Sequence, residues 1–210
     1  GGIKVIRYGM TRDWVAGLKV VTGNGDILDL NADLVKNATG YDFRHLFIGA
    51  EGTLGFITEA TMKLARTPKN LTVMVLGVPE FRAIMNVLGT FQRKLDITAF
   101  EFFSEKAVQL VTAHHNVPRP FQTATPYYAL LEFEATHEEV MDEAMALFEH
   151  CVEQGWASDG VISQSEGQAA ALWRLREGIS ETIAPFIPYK NDISVVVSKV
   201  PDFLEDIDRI

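Results

Sequence analysis

From residue 71 to residue 183 the sequence repeats one pattern, and that pattern restricts the fold more than any other feature. Apolar runs rich in β-branched and aromatic residues (71–78, 97–103, 127–134 and, more weakly, 157–161) alternate with stretches of helical spacing (79–95, 104–113, 137–154 and 164–183). A strand–helix alternation of this kind, with each strand only half apolar, predicts an α+β fold. The expected arrangement is an antiparallel sheet covered by helices on one face. Pro79 falls near the start of the first helix, where a missing N–H costs nothing. A proline-rich loop fills 117–126. Residues 192–199 alternate well enough to read as a further strand, and Pro201 marks the start of a last helix.

The first 68 residues have a different character, with many glycines and β-forming residues. Residues 15–21 read as a strand, Gly23-Asn24-Gly25-Asp26 as a tight turn and 27–30 as the returning strand, which makes a hairpin. A glycine-punctuated loop from Gly49 to Gly55 leads into a strand at 56–64. The segment Arg66-Thr67-Pro68-Lys69-Asn70 has the composition of a linker and sets the expected domain boundary, 1–68 and 69–210.

Bulk properties exclude several function classes. The chain has 210 residues and a net charge of −9, a field that repels a phosphate backbone, so no nucleic-acid role is expected. No apolar run approaches the roughly 20 residues of a transmembrane helix. The single cysteine, Cys151, cannot form an internal disulfide and falls in a helical pattern, where a buried small apolar side chain is the expectation. No targeting signal is visible, which fits a cytoplasmic protein or one peripheral to a membrane. Both ends read as cut, so the chain is expected to be an internal fragment of a longer protein.

Among residues that could carry chemistry, the Gly49–Gly55 loop stands out: glycines let backbone N–H groups approach an anion or ring that a Cβ would hold off. It lacks the lysine of a P-loop and the strand-then-helix setting of a dinucleotide fingerprint. His114 and His115 are adjacent, point apart on a helix and read as a helix end, so no metal site is expected there. His45 and His137 are isolated and His150 falls on a polar helix face, so all three suit solvated or capping roles. Glu132 and Glu134 share one side of a strand and are expected to be exposed, while Trp173, between Leu172 and Leu175, reads as core.

Two runs, Asn37-Ala38-Thr39-Gly40-Tyr41-Asp42 and Leu46-Phe47-Ile48-Gly49-Ala50-Glu51-Gly52-Thr53-Leu54-Gly55, resemble the signature of FAD-linked oxidases of the vanillyl-alcohol oxidase and p-cresol methylhydroxylase type. Gly1-Gly2-Ile3-Lys4-Val5-Ile6-Arg7-Tyr8-Gly9 is similar to that family's segment along the flavin. The resemblance implies that 1–68 is the C-terminal part of an FAD-binding domain and 69–210 a substrate-binding cap. It also implies that Gly2, Tyr8, Gly9, Asn37, Thr39, Gly40, Glu51, Gly52, Gly55 and Ile57 contribute to FAD binding.

Past the linker, Ala99-Phe100-Glu101-Phe102, Leu172-Trp173-Arg174-Leu175-Arg176-Glu177 and Tyr189-Lys190-Asn191-Asp192-Ile193-Ser194 are similar to D-2-hydroxyglutarate dehydrogenases in order and spacing. This implies that Arg176, Ser180 and Lys190 hold the substrate carboxylate distant from the reacting carbon. The residue types suit that role, since arginine grips a carboxylate through paired charge-assisted bonds, lysine adds a point charge and serine a hydroxyl donor. Arg176 and Ser180, four apart, share a face on a continuous helix. Pairing of Arg176 with a nearby acid is the competing reading.

The resemblance further implies oxidation of a D-2-hydroxy acid by hydride transfer to FAD, an electron acceptor of unknown identity, and a divalent metal such as zinc. The catalytic base and metal ligands are expected outside these residues, so the chain alone is expected to hold FAD weakly and to be inactive. A D-lactate or glycolate dehydrogenase of the same fold is one alternative; a non-catalytic binding or assembly domain is the other.

Overall fold

A computed structural model describes residues 2–30, 36, 38–207 and 209. Two compact units make up the chain, Gly1–Thr67 and Pro68–Ile210.

The first unit begins with a single helical turn, α1 (Val5–Tyr8). A hairpin follows, β1 (Val15–Thr22) and β2 (Ile27–Asp29), closed by a loop in which Thr22 N–H donates to the Asp26 carbonyl at 2.9 Å. Gly25 takes φ +88° in that loop, a conformation that glycine adopts without a Cβ penalty. A further helical turn, α2 (Arg44–Phe47), precedes β3 (Gly55–Met62), which completes a three-stranded antiparallel sheet in the order β2-β1-β3. Val15, Leu18 and Val20 are buried, with Leu28, Leu30, Phe47 and Ile48 packed against them. β3 leaves nearly all its residues exposed.

The second unit is built on a four-stranded antiparallel sheet in the order β5-β6-β4-β7, formed by β4 (Leu71–Val78), β5 (Ile97–Ser104), β6 (Tyr127–Glu134) and β7 (Asp159–Ile162). β4 and β6 pair along their whole length, from Leu71↔Glu134 to Val78↔Tyr127. The helices of this unit are α3 (Phe81–Gln92), α4 (Glu105–His115), α5 (Glu138–Glu153), α6 (Glu166–Glu177), α7 (Ile179–Ile183) and α8 (Val200–Ile207).

Helices cover both faces of this sheet, which corrects the expectation of one covered face. Val73 and Val75 of β4 pack with Phe103, Tyr128 and Leu130 against Val108 and Val111 of α4 and Leu172 and Leu175 of α6. The intervening Met74 points the other way and lines a small cavity with Met145 and Phe148 of α5. A strand with both faces covered reads as a continuous apolar run. β4, buried at every position from Val73 to Val78, is such a strand.

Four local expectations also need correction. Pro79 precedes the first helix, whose N-cap is Glu80. Residues 164–183 form two helices, because α6 stops at a buried Gly178 where an added Cβ would lie 3.0 Å from the His115 ring. Glycine here allows α4 and α7 to approach. Residues 192–196 are irregular and Val197–Lys199 form a 3₁₀ turn in place of a strand. An alternating pattern makes a strand only when a neighbour supplies the ladder, and no described strand lies beside this segment. Glu132, expected at the surface, is 4% exposed.

Candidate functional site

In the first unit, the left-handed turns of the glycine loop fall at Gly49 (φ +86°), Glu51 (φ +50°) and Gly52 (φ +80°). What surrounds the unit's glycines differs. A Cβ on Gly55 would lie 2.8 Å from both Val20 Cγ1 and the Val21 carbonyl, and one on Gly9 would lie 3.2 Å from Asp13. Gly55 is glycine because the protein's own atoms crowd it, whereas Gly9 holds a backbone conformation (φ +67°) that a side chain would strain. At Gly2 (φ +116°), Gly40 (φ +74°) and Gly52, by contrast, no atom lies within 4 Å of where a Cβ would be.

The same unit exposes Tyr41, Phe43, Leu46, Leu54, Phe56 and Ile57. Open glycine backbone together with exposed rings and aliphatic chains fits a ligand that has both phosphate groups and a flat apolar ring. The open Cβ positions and the exposed apolar side chains are therefore compatible with FAD. Thr39 and Glu51 are exposed in this unit, and Asn37 lies outside the described residues. Tyr8 and Gly9 line a separate cavity of about 380 Å³ with Lys4, Val5, Trp14 and Met62. Tyr8 is fixed there: its carbonyl accepts the Trp14 indole N–H at 2.6 Å and its ring meets Trp14 edge-on at 5.9 Å.

A clamp that the sequence does not advertise holds the end of the Asn37–Asp42 motif. Arg44 donates through Nε to Asp42 Oδ1 at 2.8 Å and through Nη2 to Asp42 Oδ2 at 2.5 Å, while Nη1 reaches the carbonyls of Val15 and Ala16 at the start of β1. The Arg44 guanidinium holds the Asp42 carboxyl down at about 2. His45 Nε2 lies 3.6 Å from the same carboxylate. The visible signal is the spacing Asp42-x-Arg44 at a helix start.

In the second unit, Arg176 occupies the last turn of α6, Ser180 the exposed side of α7 and Lys190 the irregular segment after it. Among the described residues no hydrogen bond joins these three. The helix break at Gly178 separates Arg176 from Ser180, so their four-residue spacing no longer runs along one helix. Arg176 has a partner that local sequence could not show: its Nε donates to Glu101 Oε2 on β5 at 2.6 Å. Both side chains are partly buried, at 34% and 19% exposure. Glu101 stands opposite Leu130 in the ladder and shares a strand face with Ala99 and Phe103, which places it on the face that α6 covers. An acid at a core-facing strand position demands a partner, and that is the available signal.

Glu132 and Trp173 form a second buried polar node. Trp173 packs against the core, as expected, and its Nε1–H donates to Glu132 Oε2 at 2.9 Å, while Thr98 Oγ1 donates to Glu132 Oε1 at 2.5 Å. Partnering is what makes this burial tolerable. Glu134 accepts from the Lys69 backbone N–H at 2.9 Å.

His114, His115 and Glu181 offer three ligand atoms within 4.8 Å of one another. Arg174 already stands among them, with Nη2 3.0 Å from His115 Nδ1 and 3.5 Å from Glu181 Oε2. The Arg174 guanidinium places a positive charge there that works against a second cation, and it pairs with Glu181 to tie α6 to α7. No helix among the described residues is long and apolar enough to cross a membrane.

The chain is similar to several known proteins. The chain is 69% identical over its whole length to a D-2-hydroxyglutarate dehydrogenase of Stutzerimonas stutzeri (strain A1501), of which it covers 45%. It is 56% identical over 98% of its length to a D-2-hydroxyglutarate dehydrogenase of Xanthomonas citri pv. viticola, covering 43% of that protein. A putative mitochondrial D-lactate dehydrogenase of Schizosaccharomyces pombe is 33% identical over 98% of the chain and 40% of its own length. The chain thus spans less than half the length of these relatives.

Among solved structures, an alkyldihydroxyacetonephosphate synthase matches 89% of the chain and 35% of its own with a TM-score of 0.61 at 20% identity. p-Cresol methylhydroxylase matches 78% of the chain and 37% of its own with a TM-score of 0.54 at 12% identity. These two speak for the fold alone. Residues 67–210 match the model of the FAD linked oxidases, C-terminal domain, and the chain belongs to that family.

Proposed function

We propose that these residues are part of an FAD-dependent dehydrogenase that oxidises a D-2-hydroxy acid carrying a second carboxylate, D-2-hydroxyglutarate in the first place, to the 2-oxo acid. The observation that carries this reading is the 69% identity, along the whole chain, to a protein of that name. In it, Gly1–Thr67 contributes part of the FAD-binding domain and Pro68–Ile210 the substrate-binding cap.

Gly2, Gly40 and Gly52 would face the cofactor where no Cβ obstructs it, beside Thr39, Glu51 and Ile57, with Tyr8, Gly9 and Gly55 shaping the surrounding backbone. Asn37 completes this proposed set. Bound flavin supplies the two-electron acceptor for the hydride leaving C2 of the substrate. Arg176, Ser180 and Lys190 bind the distal carboxylate and so fix the hydroxy acid end to end. Arg176 suits this because, among the described residues, its two terminal nitrogens have no hydrogen-bond partner while Nε is engaged. The base that takes the hydroxyl proton and a divalent metal that orients the hydroxyl belong, in this reading, to the part of the protein outside residues 1–210. A turnover cycle would further need an electron acceptor to take the electrons from the reduced flavin.

The test uses the full-length polypeptide containing these residues, loaded with FAD and assayed with an artificial electron acceptor. D-2-hydroxyglutarate should be turned over with kcat/KM at least about 30-fold above D-lactate, as expected for one charge-assisted contact to the second carboxylate. Lys190→Ala should erase most of that preference. Faster turnover of D-lactate, or a preference unchanged in Lys190→Ala, would overturn the dicarboxylate reading.

A further inference from the structure

We infer that Glu101 is the positioning residue of the carboxylate site: it fixes the plane of the Arg176 guanidinium and leaves the terminal fork free for ligand. This rests on the assignment of Arg176 to substrate binding made above. Which nitrogen Glu101 takes is decisive. Its Oε2 lies 2.6 Å from Arg176 Nε. An acid gripping the two terminal nitrogens would compete with a substrate carboxylate for the same donors. An acid at Nε does the opposite, since it stops rotation of the guanidinium while leaving both terminal nitrogens to bond in parallel with a second carboxylate.

The scaffold makes the orientation rigid on one side. Glu101 belongs to β5, whose backbone is registered against β6 at Glu101↔Leu130, and its side chain is only 19% exposed. Arg176 is held less firmly by its own element, because α6 ends one residue later and the chain turns at Gly178. A long side chain at a helix end samples many rotamers, and an anchored acid selects among them before ligand arrives.

The pair also has a charge consequence. Glu101 neutralises Arg176, so the excess positive charge that favours a dianionic substrate is left to Lys190, which is exposed. Two separable roles result. Arg176 with Glu101 supplies geometry, and Lys190 supplies charge.

The experiment compares wild type, Glu101→Ala, Glu101→Gln and Arg176→Ala in the full-length, FAD-loaded enzyme, with D-2-hydroxyglutarate and D-lactate as substrates. Glu101→Ala should raise KM for D-2-hydroxyglutarate about ten-fold, with kcat within about three-fold of wild type. KM for D-lactate, which has no distal carboxylate, should be unchanged. Glu101→Gln keeps an acceptor oxygen at Nε and should stay within about three-fold of wild type.

A fall in KM for D-2-hydroxyglutarate in Glu101→Ala would show competition instead of positioning and overturn the inference. An equal rise for both substrates would show a purely structural role and overturn it as well. If Glu101→Ala does not retain its flavin, Glu101→Asp, which withdraws the carboxylate by one methylene, is judged by the same KM criteria. Arg176→Ala separates substrate binding from positioning. If it leaves KM for D-2-hydroxyglutarate unchanged, the assignment of Arg176 has failed; if it raises KM while the Glu101 variants do not, only the positioning role has failed.

Discussion

Replacing Glu105 by Gln should destabilise the second unit at neutral pH by an amount that disappears in acid. Glu105 lies in the first turn of α4, just after the N-cap Ser104, whose Oγ accepts from Ala107 N–H at 3.3 Å. Its carboxylate accepts from Arg119 Nη1 at 3.0 Å, Arg119 Nη2 at 2.8 Å, the Tyr128 hydroxyl at 2.6 Å and Gln109 Nε2 at 2.9 Å. Arg119 belongs to the proline-rich loop, and Tyr128 is a fully buried ring stacked against Phe103 and Phe121. One carboxylate thus ties a helix start, a loop and the central sheet together. The Arg119 guanidinium is the main cause that holds its pKa at about 2, down from 4.5.

A shift of that size is worth at most about 3–4 kcal/mol of folding free energy, and a carboxylate one-fifth exposed to screening solvent should realise about 2 kcal/mol. The sign follows from the direction of the shift. A carboxyl depressed on folding contributes fully above its unfolded value of 4.5, and loses the contribution as pH falls towards about 2. Urea unfolding of wild type and Glu105→Gln should therefore differ by about 2 kcal/mol at pH 7 and by no more than about 0.5 kcal/mol near pH 2.5. The same difference at both pH values would refute the ionic account and leave only a packing effect.

A second substitution and a chemical probe test the structure elsewhere. Gly55→Ala should destabilise the first unit by about 1–3 kcal/mol, because its Cβ would meet Val20 and an immovable backbone carbonyl at 2.8 Å; unfolding of this unit at an unchanged temperature would show that the close approach is absent. Burial pushes the Cys151 thiol up to about 11, so a thiol reagent at pH 8 should label the native chain only at the rate of local opening and label it at once in urea. Rapid stoichiometric labelling of the native chain would contradict the burial.

Much of the fold is legible in the sequence because the strongest signals are local. The strands at 71–78 and 127–134 begin and end where the apolar run does, and the structure keeps the same limits. Their near-continuous hydrophobicity also carries a message that alternation alone obscures, namely that both faces are covered. Two elements depart from expectation for one reason. Residues 192–199 have the period of a strand without a partner to pair with, and 164–183 have the period of one helix without regard to what packs on Gly178. Periodicity reports which face a residue wants to bury; neighbours distant in sequence decide whether the element forms and where it stops.

The candidate site shows the same division more sharply. Arg176 stands out through resemblance to a family pattern, and the competing reading pairs it with a nearby acid such as Glu177 or Glu181. The structure supplies an acid from a strand 75 positions away. That acid engages Nε and leaves the two terminal guanidinium nitrogens open. The observed ion pair and the proposed binding role are therefore compatible. An ion pair through the terminal nitrogens would argue against the proposed binding role, because it would occupy the donors that role needs; an ion pair through Nε leaves them open. Glu132 teaches the complementary point. Alternation along β6 assigns it to solvent, yet it is buried because Trp173 and Thr98 bring donors to it from α6 and β5. A charged residue inside a sheet is thus a statement about its partners, and those partners are what a linear reading of one strand cannot contain.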